Sequence, residues 1–210
     1  MRVLLATTNQ DKLREIRSIL AANAVELVTL KDIPPIAEPE ETGETFEENA
    51  RQKARYYAAH CGLRTVAEDS GLVIDALDGE PGVRSARFLR PDASYPERFA
   101  AIFERLAARP ERPRTARFVC AVAVADGDRI VYETTATVEG MIADAPSGAH
   151  GFGYDPIFYY PPYGTTLAAV TEEAKLAVAH RGQAFRAFSK WLAVTAKAPD
   201  RQPSDPTVKL

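Results

Sequence analysis

The chain has 210 residues, 46% of them hydrophobic and 26% charged, enough for a packed core and incompatible with global disorder. Its net charge of −3 leaves no basic surplus for gripping polymeric nucleic acid, while a single nucleotide held by a few local cations stays compatible with it. Cys61 and Cys120 stand in no Cys-x-x-Cys or Cys/His spacing, which excludes a conventional zinc centre.

Residues 2–6 carry the continuous apolar run Val3-Leu4-Leu5-Ala6 and predict a buried strand. That run is too short for a signal peptide, and no stretch approaches the roughly 18 apolar residues of a membrane span. The expected setting is a reducing cytoplasm, with no membrane partner. Thr7-Thr8-Asn9 turns into a helix over 11–22 with Leu13, Ile16 and Leu20 on one face. Residues 25–30 predict a strand, and the Pro- and acid-rich stretch 31–43 a loop. Thr45-Phe46-Glu47-Glu48 is a capping box opening a helix that runs to His60. Short strands over 65–67 and 72–74 flank an acidic turn. Residues 79–82 form a Gly/Pro turn, and Ser94 to Glu97 caps a helix ending near Arg109. Residues 118–124 and 130–138 read as a hairpin joined at Asp126-Gly127-Asp128. Residues 147–155 are glycine-dense. Thr171-Glu172-Glu173 opens one last helix burying Leu176, Phe185, Phe188 and Leu192, and 196–210 form a polar tail. Crossover and hairpin signals together give an α/β class with a mixed sheet.

Chemistry concentrates in five segments. Glu68 and Asp69 are adjacent acids, and a buried acid is costly unless paired or bound to metal. Two hard oxygen ligands at a strand end suit Mg²⁺ beside a phosphate-bearing substrate; a solvated acidic turn is the alternative. Thr7, Thr8, Asn9, Gln10, Asp11 and Lys12 join a strand to a helix start, where N–H groups, hydroxyls and one ammonium can hold phosphate, or where Thr8 or Asn9 simply caps the helix. Glu40 and Glu41 precede the second helix, either as metal ligands or as a solvated acidic loop. On that helix Asn49 and Lys53 border the apolar face, so Lys53 either reaches a cleft or snorkels to the surface. Phe152, Gly153, Tyr154 and Asp155 set aromatics between glycines, where a ring can stack on a base or tuck into the core. Lys175 and Arg181 lie six residues apart, on different helix faces, and reach different parts of one extended ligand. His180 reads as a structural donor.

Together these segments resemble the inosine triphosphate pyrophosphatase family. The matching pieces are Thr8-Asn9-x-x-Lys12, Glu41-Thr42-Gly43-x-Thr45-Phe46-x-x-Asn49-Ala50-x-x-Lys53-Ala54, Asp69-Ser70-Gly71-Leu72, Pro81-Gly82 with Ser85-Ala86-Arg87, Gly151-Phe152-Gly153-Tyr154-Asp155-Pro156, and His180-Arg181-Gly182-Gln183-Ala184. They keep the family's order across residues 1–193.

The resemblance implies an elongated α/β fold, a long mixed sheet with flanking helices and two lobes around a central cleft. One catalytic unit then spans 1–195, and the protein is a homodimer. It also implies Mg²⁺-dependent hydrolysis of ITP, dITP and XTP to the monophosphate and pyrophosphate. Asp69 becomes base and metal ligand, with Glu40, Glu41 and Glu68 as further candidate ligands. Thr7 to Lys12 and Lys53 take the triphosphate, Ser70 the substrate, and Phe152 to Asp155, Lys175, His180 and Arg181 the base. Arg181 is then the donor that tells a keto O6 from an amino group. The chain departs from the family pattern at Thr8, where glycine is expected, at Glu68, where many members carry Asp, at Ala179, in place of a frequent Ser, and at Arg90, where glycine is common. The rival readings are a pyrimidine-directed pyrophosphatase of the Maf type and a catalytically silent nucleotide-binding regulator.

Overall fold

The computed structural model describes residues 2–23 and 25–195. The expected polar tail over 196–210 lies outside the described residues. Seven strands form one sheet in the order β2-β1-β3-β4-β5-β6-β7. Strand β1 (Arg2–Leu5) pairs in parallel with β2 (Glu26–Thr29) and β3 (Arg64–Ile74). All later pairings are antiparallel: β3 with β4 (Thr115–Asp126), β4 with β5 (Arg129–Ile142), then β6 (Phe158–Tyr160) and β7 (Thr165–Thr166). The sheet is therefore mixed, as the crossover and hairpin signals require.

Helix α1 (Gln10–Leu20) and α5 (His180–Thr195) cover one face, where Leu13, Ile16, Leu20, Phe185 and Phe188 pack on Val3, Val66 and Val122. Helix α2 (Phe46–Cys61) covers the other through Phe46, Ala50 and Ala54 against Leu4, Ala67 and Ala121. A third cluster lies along the sheet, where α3 (Tyr95–Ala107) sends Phe99 and Ile102 onto Leu72, Phe118 and Phe158. The boxes at Thr45 and Ser94 both form, each with its N3 glutamate bonding back.

Two local expectations are corrected. Residues 68–71 are not a turn: β3 runs unbroken from Arg64 to Ile74, with Ser70 opposite Cys120 and Gly71 opposite Val119. A complete ladder to β4 overrides the local turn preference of Ser-Gly, and Gly71 is needed for another reason. A Cβ there would sit 2.4 Å from Ser85 Oγ and 2.6 Å from the Gly82 carbonyl. The last helix is two helices. Helix α4 (Glu172–Val178) stops at Ala179, whose ψ of 149° is extended, and α5 starts again at His180.

The junction depends on Gly182, where a Cβ would lie 2.0 Å from the Leu176 carbonyl oxygen. Helix propensity alone makes Gly182→Ala stabilising by about 1 kcal/mol. The contact predicts the opposite sign, a loss of about 1–3 kcal/mol in urea denaturation; a gain in stability contradicts this packing.

Candidate active site

Period-two alternation along β3 decides the layout. Successive side chains leave opposite faces, so the adjacent carboxylates Glu68 and Asp69 do not face each other. Glu68 emerges on the α1/α5 side and Asp69 on the α2 side. Each finds its own cation there.

Asp69 is buried beneath α2. Its Oδ2 accepts from Asn49 Nδ2 at 2.9 Å, and its Oδ1 lies 3.7 Å from Lys53 Nζ. The Asn49 amide is itself fixed, because its Oδ1 accepts from the Gly43 N–H at 2.8 Å. Gly43 is glycine for that reason: a Cβ would fall 2.7 Å from the same oxygen. Lys53 Nζ lies 2.6 Å from Glu41 Oε1, so one ammonium serves both Glu41 and Asp69. Burial raises the Asp69 carboxyl above the ordinary aspartate value, and Lys53 only partly offsets it. Glu41 goes the other way. Burial opposes its charge, but Lys53 and Arg87 outweigh that and hold it below the usual range.

Glu68 is buried on the other face, with Lys12 Nζ 2.6 Å from Oε1 and Arg181 3.6 Å from Oε2. Cys120 Sγ donates to Oε2 at 3.3 Å. Despite complete burial, Arg181 and Lys12 hold its carboxyl far below the ordinary glutamate value. Glu15 on α1 was not identified by sequence reasoning. It accepts from Lys175 at 2.8 Å and from Arg181 at 2.9 Å, so two cations expected on different faces meet on one carboxylate. The break at Ala179 allows this. Lys175 also donates to Asp155 Oδ2 at 2.5 Å, and Arg181 to Ser70 Oγ at 2.8 Å. Both cations stand over the Phe152 ring, 4.7 Å and 5.3 Å from its centroid. The signal for Glu15 was faint: an acid one residue before Ile16 and one turn before Ile19.

Two pockets share this floor. One is lined by Phe152, Gly153, Tyr154, Asp155, Lys175, His180 and Arg181, together with Ser70 and Tyr95. The other is lined by Thr7, Thr8, Glu41, Lys53, Glu68 and Arg87. Asn9, Lys12 and Ala86 border both, which makes them two ends of one cleft. His180 stacks on Phe118 at 4.8 Å and keeps Nδ1 without a partner. Burial, reinforced by Arg181, pushes its pKa well below the ordinary value and keeps the ring neutral. Arg181 Nε is likewise buried and unpartnered.

Some expected site residues lie apart from the cleft pockets. Gln10 Nε2 donates to the Thr8 carbonyl, and Asp11 pairs with Arg14; neither borders either pocket, nor does Glu40, and Asp69 lies behind the charged end, next to its lining residue Lys53. The helix N-terminus is already capped, since the N–H groups of Asp11 and Lys12 both go to Asn9 Oδ1. Of the four candidate metal ligands, Glu40 is exposed, and Glu68 is committed to Lys12 and Arg181. Glu41 is likewise held by Lys53 and Arg87, while Asp69 shares Lys53 with it, so these two carboxylates stand on either side of one ammonium. Among the described residues no group of three or more His, Cys, Asp or Glu side chains is placed to hold a metal. Among them, too, no helix is long and apolar enough to cross a membrane.

Comparison with known proteins bears on the same residues. The model of the Ham1 family matches residues 3–191. The dITP/XTP pyrophosphatase of Geobacter sulfurreducens is 45% identical over 184 residues, covering 88% of this chain and 92% of that protein. A HAM1 protein from Coxiella burnetii superposes with a TM-score of 0.84 at 37% identity, over 92% of this chain and 99% of the other. The nucleoside-triphosphatase / dITP/XTP pyrophosphatase from Mycobacterium abscessus gives 0.70 at 42% identity, over 90% and 98%. With a matched sequence, a matched sheet and the ordered motifs gathered in one cleft, the chain belongs to the Ham1 family.

Proposed function

We infer that this protein hydrolyses dITP, ITP and XTP to the nucleoside monophosphate and pyrophosphate. The observation that carries the reading is the cleft with two chemically different ends. One end presents an aromatic ring and buried donors suited to a purine, and the other presents cations and carboxylates suited to a triphosphate. Relatives named dITP/XTP pyrophosphatases support it. The family match over 3–191 supports residues 1–195 acting as one catalytic unit. The homodimer that the family resemblance implies is part of the same reading. A cytoplasmic setting completes the reading.

In this assignment Asp69 takes the proton from the attacking water as its oxygen bonds to the α-phosphorus and the pyrophosphate leaves. In the metal-free protein burial raises its pKa, and the hydrogen bond from Asn49 fixes its orientation. Glu41 and Asp69 are the pair that would hold a divalent ion, and Mg²⁺ there supplies charge neutralisation for the triphosphate. Lys12 and Lys53 add positive charge along the same wall.

The purine lies along Phe152. Arg181 spends one N–H of Nη1 on Glu15 and one of Nη2 on Ser70, and its buried Nε has no partner, so the guanidinium keeps unspent donors at the aromatic end. A keto O6 can accept from it, whereas the amino group of adenine cannot, and leaving a buried donor unmet costs about 1–3 kcal/mol. Arg181→Ala is a poor test of this, because it takes one of two cations from both Glu15 and Glu68 inside the buried ionic chain and perturbs stability as well.

Asp69→Asn is expected to lower dITP turnover by about 10²–10⁴-fold. An acid whose folded-state pKa is raised destabilises the fold as pH climbs through that value, so at neutral pH the variant keeps or gains thermal stability. Turnover within about threefold of wild type removes Asp69 from the mechanism.

In excess EDTA, dITP cleavage should vanish and return with Mg²⁺ but not with Zn²⁺. Full activity in the chelator contradicts the metal assignment. A panel of dITP, XTP, dGTP, dATP and dUTP tests the substrate class, with dITP and XTP expected to be cleaved at the highest kcat/KM.

A further inference from the structure

We propose that Arg87 is a pyrophosphate-binding residue, held on Glu41 in the unliganded protein and transferred to the β- and γ-phosphates when the triphosphate enters. The proposal rests on the dITP/XTP pyrophosphatase reading and assigns a role within it to a side chain that has none above.

Four observations carry it. First, place: the 3₁₀ helix Gly82–Arg87 runs along the seam between the two ends of the cleft. Ser85 and Ala86 border the aromatic end, and Ala86 and Arg87 border the charged end, with Thr7, Thr8, Lys12 and Lys53 around the same pocket. Second, anchorage: the backbone beneath Arg87 is fixed to the strand that bears Asp69. Ser85 Oγ accepts from the Leu72 N–H at 2.9 Å and donates to the Gly82 carbonyl at 2.6 Å, and Tyr154 donates to the Ser85 carbonyl at 2.8 Å. Buried Phe88 follows at once. The side chain thus starts from a rigid base and is 38% exposed.

Third, the present partner is dispensable. Arg87 Nη1 lies 2.9 Å from Glu41 Oε2, while Lys53 holds the other oxygen, Oε1, at 2.6 Å. When Arg87 leaves, Glu41 keeps a counter-ion, so no carboxylate is stranded. Lys53 has no such freedom, because it also neutralises Asp69. Fourth, charge: the pocket wall sets Lys12, Lys53 and Arg87 against Glu38, Glu41 and Glu68. Lys12 shares Glu68 with Arg181 but is only 19% exposed, and Lys53 is 12% exposed, so Arg87 at 38% is the most accessible of these three cations. A pyrophosphate group offers the planar guanidinium two acceptor oxygens, a bidentate match that an ammonium lacks.

The test measures inorganic pyrophosphate binding by calorimetry, alongside dITP kinetics and thermal melts, in wild type, Arg87→Ala, Arg87→Lys and Glu41→Gln. Wild-type cleavage of dITP is the control for the functional reading itself, and its absence overturns that reading independently of Arg87. With that control met, Arg87→Ala is expected to weaken pyrophosphate at least tenfold and to lower kcat/KM for dITP by 10–100-fold, a scale set by loss of one charge-assisted bidentate contact. The preference for dITP over dATP should stay within twofold, since the purine end is untouched. Arg87→Lys keeps the charge without the fork and should recover part of the affinity. Glu41→Gln, measured in excess EDTA, removes the charge that holds Arg87 and leaves only its 3.4 Å bond to the residue-41 carbonyl, so it should tighten pyrophosphate binding. Should Arg87→Ala melt early, the Arg87→Lys and Glu41→Gln results decide. Pyrophosphate affinity within twofold of wild type in either Arg87 variant, or weaker binding in Glu41→Gln under chelator, overturns the proposal.

Discussion

The site depends on the two-residue repeat of a β-strand. Two carboxylates side by side in sequence are a repulsive pair in a turn, and in a strand they belong to different faces of the sheet. Because β3 is paired with β4 through Glu68 and Asp69, the sheet itself separates the acids and hands each to a different set of helices. Glu68 meets Lys12 of α1 and Arg181 of α5, and Asp69 meets Asn49 and Lys53 of α2. Their proton affinities move apart in consequence. Glu68 is pinned in its ionised form, while Asp69 is raised by burial and retains a readiness to take a proton. Pairs of acids whose environments drive them apart are the pattern of divided catalytic labour.

A second constraint follows from the first. Lys175, Arg181, Glu15, Asp155 and Glu68 form a continuous buried ionic chain that ties α1 to α4 and α5. Helix α1 carries Asn9 and Lys12 where the two ends of the cleft meet and Glu15 beneath the aromatic end. The same rigid element therefore sets the spacing between the two ends. Buried ions are expensive to desolvate, and removing one partner of such a pair typically costs about 3–5 kcal/mol. The chain is better understood as fixing the position of the Phe152 platform and its cations than as a source of stability.

Much of this was open to reading from the sequence. Apolar runs, two capping boxes and the Asp126-Gly127-Asp128 hairpin placed most elements to within a few residues, because each is governed by local chemistry. Ser-Gly after the acid pair misled for the same reason: the local turn signal is real, but it loses to a strand ladder whose partner, Cys120, lies far along the chain. The break at Ala179 carries no proline or glycine at the break itself, and the helical pattern continues across it, so the six-residue spacing of Lys175 and Arg181 suggested divergence where the fold gives convergence. Glu15 was hidden, and Arg87, though part of the Ser85-Ala86-Arg87 piece, carried no role, because both are charged residues on helical turns and only the tertiary fold reveals what stands opposite them.

The central claim is that the sheet assigns opposite protonation behaviour to two neighbouring carboxylates. Carbon-13 NMR titration of side-chain carboxyl-labelled protein reads both groups directly. The account predicts that Asp69 titrates above the ordinary aspartate value and that Glu68 remains ionised well below the ordinary glutamate value. An Asp69 carboxyl titrating at or below its ordinary value, or a Glu68 carboxyl taking up a proton above its own, would contradict it.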